Sequence, residues 1–277
     1  MTSDVRGLFE EVRRGFPIEG YLEDEGEGHT FIASQLAALK PQGGRLLDVG
    51  CGPLDKTALF SLLGFECYAC DDYLDPWHRR PEIMRAIRDA AEKYGITLHV
   101  HQNGDYRVPF DRESFEIVTI LGVIEHLHES PREILNTAGT LLKDGGIAVI
   151  VMPNAVNIRK RLDVVRGQSN FPDVRAVFHS AGTWRGHVRE YTLSEAKYIM
   201  TTAGFEVVRA ATFDSMVERK IKRPWGRAVY RSLIKLAPGM RDSLFVAARK
   251  PPGWRPAEPS DESYRAAIAR SVPAAVR

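Results

Sequence analysis

Leu46-Leu47-Asp48-Val49-Gly50-Cys51-Gly52 is the stretch from which the fold can be read. Apolar residues and one acid run straight into two glycines separated by a single residue. Such a run reads as a buried parallel strand whose end must let something approach the backbone closely, because glycine permits positive φ and carries no Cβ. Beyond it, Asp55 is placed to cap a helix whose Ala58, Leu59, Leu62 and Leu63 recur at helical spacing, and Gly64 to end it. Strand, glycine turn and helix make the opening half of a doubly wound nucleotide-binding fold.

Working outward, Phe65 to Asp71 reads as a second strand, and Pro81 opens a helix with Ile83, Ile87, Ala90, Ala91 and Tyr94 on one face. Ile96 to His101 alternates apolar and polar residues, as a strand towards the sheet edge does. Phe115 to Leu121, the wholly apolar Ile147 to Met152, Phe205 to Ala211 and Leu244 to Ala248 supply four more strands. Between them lie a helix over Pro131–Leu142 and one opened by the capping-box pattern Thr192-Leu193-Ser194-Glu195. The pattern predicts an α/β fold, a doubly wound, mostly parallel seven-stranded sheet with helices on both faces.

Residues 1–27 read as an N-terminal extension and 28–250 as the domain. Within it, residues 155–191 lack a sustained period and hold Phe171, Phe178, His179, Trp184 and His187, which suits a lid or substrate segment. Residues 220–237 make a basic helix, and 251–277, with Pro251, Pro252, Pro256 and Pro259, a mobile tail with at most a short helix near 262–270.

The 277 residues are 44% hydrophobic and 27% charged, ample for a core. A net charge of +2 argues against bulk electrostatic binding of nucleic acid, so no such partner is expected. No run of about 18 apolar residues is present, and Met1 to Glu10 has no apolar core of a signal peptide, so a cytoplasmic location is expected. Cys51, Cys67 and Cys70 are too few for a disulfide framework. Cys67 and Cys70 stand three apart on a strand and so point to opposite faces, as core residues rather than a metal or redox pair.

In such a fold the ligand lies at the carboxyl ends of the strands. There the sequence places Asp48 to Gly52, then Asp71 and Asp72, Gly104 and Asp105, and finally Gly122 with Glu125 and His126. An acid about 20 residues past the glycines is placed to accept hydrogen bonds from ribose hydroxyls. A dinucleotide site needs a third glycine where Leu54 stands. Its absence and the extra acid Asp105 favour a nucleoside that carries no phosphate, and they disfavour a dehydrogenase.

These stretches resemble the class I S-adenosylmethionine-dependent methyltransferases. The resemblance rests on Leu47-Asp48-Val49-Gly50-Cys51-Gly52-Pro53, Gly64-Phe65-Glu66 running to Asp71, Gly104-Asp105, Ser114-Phe115-Glu116-Ile117-Val118, Val123-Ile124-Glu125-His126-Leu127, Leu141-Leu142-Lys143-Asp144-Gly145-Gly146 and Met152-Pro153-Asn154. His187 to Thr192 and Ala203-Gly204-Phe205-Glu206 extend it, over roughly residues 28–212 in motif order. It implies S-adenosylmethionine as cofactor and S-adenosylhomocysteine as product. Asp48, Gly50 and Gly52 would line the methionine portion, although Asp48 reads equally as an acid that holds the turn. Asp71, or Asp72 if the register shifts by one, would bind the ribose; Gly104 and Asp105 would meet the adenine, and Leu121 and Gly122 the sulfonium end.

An alcohol acceptor loses a proton as it attacks, so a base is sought near the methyl group. His126 is the first candidate, followed by His128, His179 and His187, with Glu125 beside it. In many relatives Glu125-His126 would instead be a structural turn. A subset that methylates RNA ends ligates a metal with a Glu and a His here and a further Glu at the position of Gly122; the glycine leads to an expectation of no metal.

Lys220 to Trp225 leads into a helix with Arg227, Arg231 and Lys235 four apart and Trp225, Val229, Leu233 and Ile234 on another face. Such a helix either packs its apolar face on the sheet or lies on an anionic membrane, which would place the protein peripherally at the inner face and suit a lipid-linked acceptor. The sequence therefore predicts methyl transfer to a hydroxyl of a small molecule, sugar or glycolipid. The alternatives are N-methylation of RNA or protein, or a non-catalytic protein that keeps the fold for binding.

Overall fold

The glycine-terminated strand lies in the middle of the sheet. In the computed structural model, which describes residues 4–23, 25–40, 42–101, 108–215 and 221–271, β1 (Gly44–Val49) pairs in parallel with β2 (Phe65–Asp71) on one side and β4 (Phe115–Leu121) on the other. β3 (Thr97–Val100) closes one edge beyond β2, and β5 (Leu142–Pro153) follows β4. β7 (Ser243–Arg249) runs antiparallel to β5, and β6 (Glu206–Phe213) antiparallel to β7, giving the order β3-β2-β1-β4-β5-β7-β6. The expected seven-stranded, mostly parallel sheet is present, with β7 as its reversed strand.

Strand alternation divides the core in two. Leu46, Cys67, Ile117 and Val149 face α1 (Val5–Gly15), α2 (Glu27–Leu39), α3 (Asp55–Leu62) and α4 (Pro81–Lys93) in one cluster. Leu47, Cys70, Val118 and Ile150 belong to the other, with residues of α5 (Arg132–Leu141) and, after the segment that holds α6 (Ile158–Val165) and α7 (Val174–Phe178), of α8 (Leu193–Thr202). Cys67 and Cys70 thus lie on opposite faces as buried, free thiols. α8 carries the expected capping box: Thr192 N donates to Glu195 Oε2 at 2.8 Å, and Glu195 N to Thr192 Oγ1 at 3.3 Å.

Three expectations need correction. The N-terminal residues are no extension: Phe9 and Val12 of α1, with Phe16 and Leu22, are buried in the first core cluster. Asp55 does not cap α3. The N-cap is Leu54, left-handed at φ +70°, and the Asp55 carboxylate instead meets His29 Nε2 at 2.6 Å and Lys56 Nζ at 2.9 Å. Burial alone would raise the Asp55 pKa, but Lys56 and His29 outweigh it and hold the carboxyl well below its usual range.

The third concerns the tail, whose first residues are anchored rather than mobile. Trp254 Nε1 donates to Ala203 O at 2.8 Å, and its ring lies 5.7 Å from that of Phe205. Asn136 exchanges two hydrogen bonds with the Ala257 backbone, at 2.9 and 2.8 Å. The prolines extend this strap without stopping it from packing, because only Trp254 has to reach the core. α9 (Pro224–Leu236) joins β6 to β7, and α10 (Asp261–Ser271) follows the strap.

Candidate active site at the carboxyl edge of the sheet

Strand order reverses at β1, so the crevice between the carboxyl ends of β1 and β4 is where a ligand belongs. Gly50 and Gly52 take φ of +72° and +53° there. A Cβ on Gly50 would lie 2.4 Å from Val123 Cγ2, so the turn packs too tightly against the end of β4 for any other residue. Gly52 N donates to Asp71 Oδ2 at 2.9 Å and Tyr73 N to Asp71 Oδ1 at 2.8 Å. A carboxylate offers about four acceptor positions, so Asp71 keeps capacity for a diol. Asp72 accepts from Leu74 N at 2.9 Å. Tyr73 closes the turn, its hydroxyl donating to Gly52 O at 2.9 Å. Nothing in the sequence marks that residue, because the contact depends on the chain doubling back at φ +46°.

Of the two readings open for Asp48, the hydrogen bonds favour the one that holds the turn. Its two oxygens accept from the Thr57 hydroxyl at 2.6 Å and the Thr119 hydroxyl at 2.7 Å, and it is buried. It ties β1 to β4 and α3, which is its turn-holding reading. Burial pushes its carboxyl up to about 6, against the pull of the two threonines. Leu121 is buried at the end of β4, followed by Gly122 at φ +74°. Gly104 and Asp105 lie outside the described residues.

Beyond Gly122, a single turn of 3-10 helix, Ile124–His126, brings Glu125 and His126 against residues 185–189. Glu125 O accepts from Val188 N at 2.7 Å and Arg189 N at 3.2 Å, so that segment is docked on it. His126 Nδ1 meets Arg185 O at 2.8 Å, and His128 Nε2 meets Trp184 O at 2.8 Å. A carbonyl oxygen only accepts, so the His126 proton sits on Nδ1 and neutral His126 carries its lone pair on Nε2. His187 comes from the segment before α8, its ring centroid 4.9 Å from that of His126 and nearly perpendicular to it. His187 Nδ1 meets Glu190 Oε1 at 2.8 Å, and Glu190 also pairs with the buried Lys160.

Glu125 is only 2% exposed, and burial pushes its carboxyl up to about 7. Burial lowers the His126 pKa, whereas the hydrogen bond that His187 donates to Glu190 raises its own. The structure therefore brings Glu125, His126 and His187 together. His179 stands apart, at the end of α7 with its ring on Phe178. Lys160 and Glu190 were not legible as site residues: one reads as part of a basic run and the other as part of a motif without an assigned role. Next to the cluster, a cavity of about 420 Å³ is lined by Lys160, Phe171, Pro172, His187, Val188 and Glu190.

Phe213 and Ser243 are register partners, as are Pro153 and Ser243, so the segment after β5 and the β6–β7 connection both spring from this same edge. Within that connection α9 buries Tyr230 and Ile234 but leaves Trp225 64% and Leu236 87% exposed. Its apolar face is thus only partly spent on packing. Lys220 lies outside the described residues, and among those described no helix is long and apolar enough to cross a membrane.

Comparison with known proteins gives the same picture. Residues 27–210 match a family model described as a methyltransferase domain. A ubiquinone biosynthesis O-methyltransferase of Xanthomonas axonopodis pv. citri is 31% identical over 117 residues, 40% of this chain and 43% of that protein. The match thus spans under half of the relative's length. Among solved structures, a SAM-dependent methyltransferase from Archaeoglobus fulgidus aligns at 16% identity and TM-score 0.51, covering 80% of this chain and 94% of that one. Phosphoethanolamine N-methyltransferase 2 of Haemonchus contortus, in complex with S-adenosyl-L-methionine, aligns at 17% identity and TM-score 0.52, covering 89% and 57%. Both share the fold.

Proposed function

Because this chain belongs to the methyltransferase-domain family, we propose that it methylates a hydroxyl oxygen of a small-molecule acceptor, a sugar or glycolipid being the candidates its surface suits. Its cofactor is S-adenosylmethionine, which supplies a methyl group already activated on a sulfonium. The crevice fits such a group: two positive-φ glycines leave the backbone bare, and Asp71 has acceptor capacity in hand for a ribose diol. Gly50 and Gly52 flank the methionine portion, Leu121 and Gly122 the sulfonium end, and Gly104 and Asp105 the adenine, as the resemblance implies.

The observation that carries the choice of oxygen is the orientation of His126. Its Nδ1 is tied to a main-chain carbonyl, which turns the Nε2 lone pair out as a base just past Gly122. A hydroxyl must lose its proton as it attacks, whereas a neutral amine can attack first, so an oriented base has most use with an alcohol. As the acceptor oxygen bonds to the methyl carbon, the carbon–sulfur bond breaks and the hydroxyl proton passes to His126. Glu125 and His187 pack beside His126 and hold the electrostatic surroundings of that transfer. The local identity to an O-methyltransferase supports the same reading.

Calorimetry with S-adenosylhomocysteine should give a micromolar Kd, weakened at least tenfold by Asp71→Ala; unchanged affinity would remove Asp71 from the cofactor site. With labelled cofactor and a panel of phenols, sugars and amines, the label should appear on hydroxyl acceptors only. His126→Ala should cut turnover at least a hundredfold with cofactor affinity within twofold. Label on amines alone would favour N-methylation, and binding without transfer to any acceptor would favour a non-catalytic role.

A further inference from the structure

The cluster that faces the acceptor has the composition and second layer of a metal centre. Glu125, His126 and His187 each offer one ligating atom, and those atoms lie within 4.8 Å of one another. Zinc bonds imidazole nitrogen and carboxylate oxygen at about 2.0–2.2 Å, so side-chain rotations that draw these atoms in by about an ångström would let one ion reach all three. The ligands come from two separate segments, the turn after β4 and the segment before α8, so no local sequence pattern assembles them.

Two independent observations point to a ligand. Glu125 Oε2 is buried and has no hydrogen-bond partner, a costly state for a carboxylate oxygen unless something else occupies it. The second is the treatment of the two imidazoles. Metal-binding histidines nearly always give their other ring N–H to a carbonyl or carboxylate, which fixes tautomer and ring direction. His126 has Nδ1 on the Arg185 carbonyl and His187 has Nδ1 on the Glu190 carboxylate, leaving Nε2 of each as the ligating nitrogen. Glu190 is itself held by Lys160, so the outer layer is anchored in turn.

We propose that Glu125, His126 and His187 bind a divalent first-row transition metal, with zinc the best match to two imidazoles and one carboxylate. Three protein ligands leave coordination positions open, the arrangement of a catalytic rather than a structural centre. Of the three ligands His187 lines the cavity of about 420 Å³, and an open position on such an ion suits an oxygen donor, so the ligand class is a hydroxyl-bearing acceptor. The expectation of no metal rested on Gly122 in place of a carboxylate; His187, which the sequence offered only as a candidate base, supplies a third ligand from the segment before α8. This inference rests on the reading that the cluster handles the acceptor hydroxyl. With His126 as a ligand its Nε2 would not be free to act as the base; the ion, when bound, would supply Lewis-acid chemistry that acidifies a hydroxyl, whose proton would go to water.

The test uses the untagged full chain, stripped with chelator and titrated with Zn²⁺ by calorimetry, with Co²⁺ absorption as a second probe. One equivalent should bind with a Kd of micromolar or below, and Co²⁺ should show visible d–d bands. His187→Ala, at a half-exposed site, and Glu125→Gln should each weaken binding at least tenfold. Thermal melts and S-adenosylhomocysteine binding report that each variant is folded. No zinc binding, or binding that neither substitution changes, overturns the site. Absent zinc binding together with intact hydroxyl methylation would remove the metal and leave the acceptor reading; tight, ligand-dependent zinc binding without any hydroxyl acceptor would keep the metal centre and remove that reading.

Discussion

At the scale of single residues, Asp48 shows how a strand-end acid serves the fold. Unfolded, its carboxyl titrates near the ordinary 3.8; folded, near 6, because burial outweighs the two threonine hydroxyls. The folded state therefore binds the proton more tightly. The stability this residue lends is complete below the ordinary value and is lost as pH rises from there through about 6. By neutral pH its ionisation costs up to about 3 kcal/mol. Asp48→Asn keeps a hydrogen-bonding group between Thr57 and Thr119 without the charge. Thermal denaturation should show the variant gaining on the wild type between pH 4 and 6, with a higher midpoint at pH 7; parallel profiles would mean that the carboxyl is already solvated. The sequence held both readings of Asp48 open because side-chain direction at a strand end depends on what lies across the sheet, here Thr119. Asp71, by contrast, was legible from spacing, since its role follows from β2 lying beside β1.

Among elements, the strap behind α10 departs furthest from its compositional reading. Proline-rich stretches look unstructured, yet one tryptophan fastens this one. A Cβ on Gly139 would lie 2.3 Å from Trp254 Cζ2, so α5 has a glycine where the indole lies across it. Trp254→Ala should destabilise the domain by about 3 kcal/mol, measured by urea unfolding, with cofactor affinity unchanged. A loss under 0.5 kcal/mol would show the strap to be peripheral. The periodic elements were legible throughout: each strand of the sheet and the capping box of α8 follow from local pattern. The strap, the burial of α1 and the Leu54 cap follow from tertiary packing, which local pattern does not encode.

For the whole molecule, topology gathers what faces the acceptor. The reversed β7 brings α9 to the same edge as the segment after β5, and the exposed Trp225 and Leu236 share α9 with Arg227 and Lys235. Phe171 and Phe178 of that segment are also exposed. An apolar and basic edge of this kind suits an anionic lipid surface and a lipid-linked acceptor. The protein should co-sediment with vesicles containing phosphatidylglycerol but not with phosphatidylcholine alone. Raising salt or substituting Trp225→Ala and Leu236→Ala together should reduce binding at least fivefold. Equal binding to both vesicle types would rule out the charge complementarity, and binding to neither would make this edge a plain solvent face. The strand order that produces this edge was only partly legible, because nothing local says which way β7 runs.

The docking of Val188 and Arg189 on the Glu125 carbonyl has a consequence for economy. The strip that docks there also carries His187 and lines the cavity, so an outward swing of it would part His187 from His126 in the same movement. On the proposed reading of the site, a molecule with that strip displaced would be chemically idle, so the methyl donor would be spared futile consumption until an acceptor is enclosed.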